Sequence, residues 1–146
     1  MSRLAATAGL VVALAGCHDA TDHEKQLVIG RIDPLHTVVP VIVAPAEVRV
    51  NTAFTVVVHT VGSSDCTKPD RNEVSELGDV VRIVPYDIVP IAGHSDVCQD
   101  DFAFHDHRIR LTLGRTGTAR LRVVGLTAAS RTDRLDSVEV AVTVSP

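Results

Sequence analysis

Val138, Val140, Val142 and Val144 alternate with Glu139, Ala141 and Thr143, a period of two that puts every valine on one side of an extended strand. A segment written this way buries one face and wets the other. The same parity sets Ile109, Leu111 and Leu113 against Arg108, Arg110 and Thr112, and Leu121 and Val123 against Arg120 and Arg122. Seven short Val-rich runs follow one another from Thr37 onward: 38–43, 47–50, 53–61, 80–84, 108–113, 119–124 and 137–144. Gly, Pro, Asn, Asp and Ser separate them, and β-branched valine packs well on a pleated surface. No stretch sustains a helical period, so the helices of a parallel βαβ architecture are not expected. The expectation is an all-β, antiparallel sandwich of about seven strands over residues 37–146, with a small Greek-key barrel as the alternative. Since 45% of the 146 residues are hydrophobic, the chain has the material for one core and is not disordered throughout.

The amino terminus has a different composition. Arg3 precedes an apolar stretch from Leu4 to Leu14, small residues follow at Ala15 and Gly16, and the polar run from His18 begins at once. This is the layout of a secretory signal, too short to remain as a spanning helix. Leu14, Ala15, Gly16 and Cys17 together resemble the lipobox of bacterial lipoproteins. The resemblance implies cleavage after residue 16, acylation of Cys17, and anchoring in a membrane by two or three chains on one residue. In that family an Asp after the Cys favours inner-membrane retention in some Gram-negative bacteria. His18 stands there, so the resemblance implies a bacterial cell-envelope protein, in the outer membrane rather than the cytoplasmic one. The segment Leu111–Gly125 resembles the turn between the fifth and sixth strands of bacterial immunoglobulin-like domains, which makes the expected sandwich immunoglobulin-like.

Three regions follow: 1–16 as signal peptide, 17–36 as lipidated Cys17 and flexible tether, and 37–146 as the sandwich. Within the tether the Leu27–Gly30 island has the composition of an edge strand. Cys66 and Cys98 remain in a chain directed out of the cytoplasm, so an intramolecular disulfide is expected between them. Both lie in polar segments, SSDCTKPD and HSDVCQDD, so the bridge should pin two loops instead of crossing the core. Closing the ring from 66 to 98 is worth about 3.7 kcal/mol in the chain-entropy picture.

Two groupings carry candidate chemistry. His94, Asp96, Asp100, Asp101, His105, Asp106 and His107 crowd one region, and His105 and His107 share a strand face. With His94 or a loop carboxylate they have the donor types of a zinc or copper site. Their parity also matches that of Ile109 and Leu111, which makes them a rim closing the core. The other grouping is Arg108, Arg110, Arg120 and Arg122. A simple hairpin would collect all four into a patch for an anion or acidic partner; an immunoglobulin-like crossing would leave two on each layer, paired with Glu139, Asp133 or Asp136.

Other classes are excluded. Eighteen acidic residues against fourteen Lys and Arg argue against nucleic acid, as does the lack of Trp. No serine lies in a G-x-S-x-G setting, and adjacent Asp100 and Asp101 would point to opposite faces. No enzyme and no cofactor are expected. The expected role is a lipid-anchored, non-catalytic structural or protein-interaction module with a protein partner; a small extracytoplasmic metal-binding protein is the alternative.

Overall fold

A computed structural model describes residues 25–91, 98–99, 101–128 and 133–146. Among the described residues ten strands make up the fold: β1 (Lys25–Ile29), β2 (Arg31–Ile32), β3 (Ile42–Val43), β4 (Glu47–Arg49), β5 (Ala53–Gly62), β6 (Lys68–Leu77), β7 (Val80–Pro90), β8 (Ala103–Thr112), β9 (Gly117–Thr127) and β10 (Leu135–Ser145). They form one sheet curled on itself, an all-β sandwich or barrel-like fold. One layer runs β6, β7, β9, β10, β4, with β1 continuing beside the C-terminal half of β7. The other runs β3, β5, β8, and β2 joins the layers by pairing with both β9 and β5.

The expected alternation holds. Ile109, Leu111, Leu113, Leu121, Val123, Val142 and Val144 are buried, and with Ile32, Val56, Val58 and Ile83 they fill the space between the layers. Ladders are mainly antiparallel, but β7 with β9, β2 with β9, and β4 with β10 run parallel. The chain crosses to the other layer for β8 before returning for β9, which brings β9 back beside β7 in the same direction. Because β8 pairs with β5 and β9 pairs with β7 and β10, the simple hairpin is ruled out. Arg108 and Arg110 therefore lie on one layer, and Arg120 and Arg122 on the other.

The sheet starts earlier than the expected boundary at residue 37. β1 and β2 occupy 25–32, inside the stretch read as tether, and the Leu27–Gly30 island contributes to β1 as its composition suggested. Ile32 is wholly buried, so this part of the chain belongs to the core. In contrast, of the run 38–43 only Ile42 and Val43 form a strand, and Val38 is exposed.

β6 was not anticipated, because KPDRNEVSEL has no apolar alternation and is exposed nearly throughout. Its ladder to β7 holds it, interrupted by a bulge between Pro69 and Asn72. The β6–β7 connection is the two-residue turn Gly78–Asp79, where Gly78 at φ +67° supplies the left-handed conformation such a hairpin needs.

Cys66 and Cys98 are joined, with Cα atoms 5.6 Å apart. The bridge ties the turn after β5 to the chain ahead of β8, at one end of the sandwich. We call this the near end. It also holds Gly62, Lys68, Pro90 and Ala103, and the start of β1, since Lys25 is in register with Pro90. The far end holds Asn51, Gly78 and Gly114.

Candidate functional site

Between the layers, near that end, lies a polar cluster. Thr60 follows Val56 and Val58 on the inward parity of β5, Asp87 follows Val81, Ile83 and Pro85 on β7, and His107 precedes Ile109 on β8. None is more than 2% exposed. Asp87 Oδ1 is 2.9 Å from His107 Nε2 and accepts from Thr60 Oγ1 at 3.2 Å; Thr60 Oγ1 and His107 Nε2 are 3.3 Å apart. A carboxylate only accepts, so the consistent assignment has both the hydroxyl and Nε2–H donating to Asp87.

This arrangement is not a nucleophilic relay, which would need acid and hydroxyl on opposite nitrogens of the ring. Here both meet Nε2. Among the described residues His107 Nδ1 is buried without a partner, and so is His105 Nε2. A buried polar atom left unpaired costs about 1–3 kcal/mol, which the bonds at Nε2 must offset.

Gly30 allows the cluster to pack. A Cβ there would lie 2.5 Å from Thr60 Cγ2 and 3.0 Å from Asp87 Oδ2. Its N–H donates to the Pro85 carbonyl at 2.8 Å and its own carbonyl accepts from Leu126 N–H at 3.0 Å, so the backbone of β1 and β2 is held directly over the acid. Asp87 also lines a cleft of about 320 Å³ with Gln26, Val28, Thr67 and Arg31, where Arg31 donates to Asp133 at 2.7 Å.

His105 and His107 share a face of β8 as their spacing predicts, but His107 is engaged by Asp87. Among the described residues no three His, Cys, Asp or Glu side chains form a group suited to a metal ion. His94, Asp96 and Asp100 lie outside the described residues, as does Cys17. Asp101 accepts from Ser64 N–H at 2.9 Å, and Asp106 faces His59 Nε2 and Arg108, each at 3.4 Å.

Arg108, Arg120 and Arg122 meet acids at the surface. Arg120 donates through Nε and Nη2 to Asp79 at 3.1 and 3.2 Å and contacts Glu139 at 3.5 Å, while Arg122 Nε donates to Glu139 at 2.8 Å. Glu139 is thus a partner as expected; Asp133 pairs instead with Arg31, and Asp136 accepts from Ser137 N–H. The bonded Arg120 guanidinium holds the Asp79 carboxyl below its ordinary range, and Asp79 raises Arg120 in turn. Arg110 lies on the exposed side of β8.

At the near end the disulfide is flanked by two reciprocal bonds. Asp65 accepts from Gln99 N–H at 3.2 Å and from the Ser63 hydroxyl, while Asp101 caps Ser64 from the other strand of the clamp. The Ser63 bond lowers the Asp65 carboxyl, and bonds from Ser64 lower that of Asp101. Beside them stands an aromatic group. The Phe104 ring lies 4.7 Å from His36, 5.2 Å from Phe102 and 6.5 Å from His59, and Phe102 is 57% exposed.

Thr60 and Asp87 escaped the sequence reading. The Val-rich run 80–84 stops short of Asp87; continuing the parity of Val81 and Ile83 through Pro85 points its carboxylate inward. Thr60 has the inward parity of Val58 but resembles any strand threonine. Compared with protein-family models, with curated proteins and with solved structures, the chain matches none.

Proposed function

We propose that this protein is a lipid-anchored, non-catalytic structural or protein-interaction module of the bacterial cell envelope, held to a membrane through Cys17 and more readily to the outer than to the cytoplasmic one. The Cys66–Cys98 disulfide carries the reading. Such bridges persist in oxidising compartments, and pairing two of the three cysteines leaves Cys17, directly after Leu14-Ala15-Gly16, as the third. The buried cluster supports a non-catalytic role, since its acid, imidazole and hydroxyl are each at most 2% exposed and spend their hydrogen bonds on one another, with Asp87 alone reaching the neighbouring cleft.

Strand edges without a ladder suit a protein partner. Among the described residues β6 pairs only with β7 and β8 only with β5; the two lie against each other without a ladder. Lys68, Pro69 and the bulge guard the first half of β6, whereas Glu73–Leu77 continues regularly with Val74 and Leu77 exposed. An extended segment of a partner can add there as a further strand.

The test is production of the full chain in a bacterium, with intact mass and membrane fractionation. Cleavage before Cys17, added acyl mass and membrane recovery, all abolished in Cys17→Ser, are the expected result. A soluble, unacylated product with a free Cys17 thiol would reject the anchor.

One observation favours a second reading, a small zinc- or copper-binding protein: the orphaned His105 Nε2 and His107 Nδ1 are imidazole nitrogens on one strand face. His94 would complete their set. Stoichiometric zinc uptake lost in His105→Ala, with the fold retained, supports it; unchanged uptake removes these ligands.

A further inference from the structure

The strand β1 begins at Lys25, only seven residues after the proposed anchor (His18 to Glu24). From Cys17 to Lys25 a fully extended chain reaches at most roughly 28 Å. Strands β5 and β8 have ten residues each, so the sandwich is roughly 33 Å long between its ends. Lys25 lies at the near end, in register with Pro90 and beside the disulfide clamp. With the far end against lipid, Lys25 would stand farther from the surface than the tether can span.

The near end also has the side chains for such a contact. Phe102 is 57% exposed and Leu35 is 79% exposed. His36, next to Leu35, stacks on Phe102 at 6.3 Å, and Phe104 meets Phe102 edge-on, so the ring is braced by two others while more than half exposed. Exposed Phe and Leu at the rim of a lipid-tethered domain have the chemistry to enter the boundary between headgroups and acyl chains.

We infer that the disulfide-bearing end of the sandwich lies against the lipid surface, with Phe102 and Leu35 seated in the interface and the far-end turns facing away. This rests on the lipid-anchor reading and adds an orientation to it.

The chain contains no Trp, so single substitutions report cleanly. The full chain, purified from bacterial membranes as Phe102→Trp, Leu35→Trp or Arg115→Trp, is placed in vesicles of phosphatidylethanolamine and phosphatidylglycerol with or without brominated acyl chains. Arg115 lies exposed in the far-end loop. Intact mass is measured on each preparation. With acylated protein, near-end Trp emission should shift to the blue and fall by about twofold on brominated lipid, as expected for a ring at the acyl boundary, while Arg115→Trp stays unchanged. Leu35→Trp carries the test if Phe102→Trp fails to fold. Acylated protein whose near-end reporters are unquenched, or whose Arg115→Trp is quenched as strongly, overturns the orientation and leaves the anchor standing. A mass without acyl chains overturns both.

Discussion

Two hydrogen-bonded groups, each built around an aspartate, lie in opposite surroundings in this molecule. Asp87, His107 and Thr60 lie between the layers at no more than 2% exposure, while Asp79, Arg120, Arg122 and Glu139 form a network on the outer face. The outer network has more hydrogen bonds, with a two-pronged guanidinium contact, yet water competes for every group in it. The inner cluster has fewer bonds and leaves His107 Nδ1 unpaired, but no water replaces a partner that is removed. Position, more than the number of contacts, decides which group the fold depends on.

The largest expected effect follows from breaking the inner group. Asp87→Ala should lower stability by about 3–5 kcal/mol, since it strands a buried imidazole and hydroxyl. Urea denaturation followed by circular dichroism measures it, and a loss no larger than that of Arg120→Ala would erase the contrast. Thr60→Val keeps the shape and removes one donor to the carboxylate. It should cost about 1.5–3 kcal/mol, the range for hydrogen bonds to charged groups, and the same assay separates it from Asp87→Ala.

The carboxyls of Asp65 and Asp101 at the disulfide clamp are held below their ordinary range by serine and backbone donors. Their stabilisation is therefore complete above the unfolded carboxyl pKa of about 3.9 and is lost as pH falls through the lower folded values. The gap in thermal midpoint between wild type and the double variant Asp65→Asn, Asp101→Asn should stay level from neutral pH to about pH 4 and close below it. A gap already closing at pH 6 would assign the effect to another group. The smallest change is expected from Arg120→Ala, a slight shift in midpoint that fades with added salt; a large or salt-independent loss would place this exposed network on the same footing as the buried one.

How much of this was legible in the sequence depends on which force holds each element. Strands pinned by apolar alternation, β8 through β10, are written in their valines and leucines, and the two-loop placement of the disulfide is written in the polar neighbours of Cys66 and Cys98. β6 is held by its backbone ladder and a Gly78–Asp79 turn, and its side chains carry almost no pattern. β2 has only Arg31 and Ile32, and a two-residue strand has no periodicity to read; its place follows from simultaneous pairing with β9 and β5. The polar cluster was half visible. His107 was picked out by its spacing from His105, but its partner Asp87 is twenty residues away on a strand that runs through Pro85.

The register of β2 also governs the order in which this fold can assemble. Arg31 pairs with Val61 on one side and Leu126 on the other, and Lys25–Ile29 waits for Tyr86–Pro90. A chain made or exported from its amino terminus presents its first strands long before their partners exist. β2 can meet β5 once Val61 has emerged and β1 can meet β7 once Pro90 has, but the pairing of Arg31 with Leu126 waits for β9, so final closure of the sheet is a late, non-local event of the kind that slows folding.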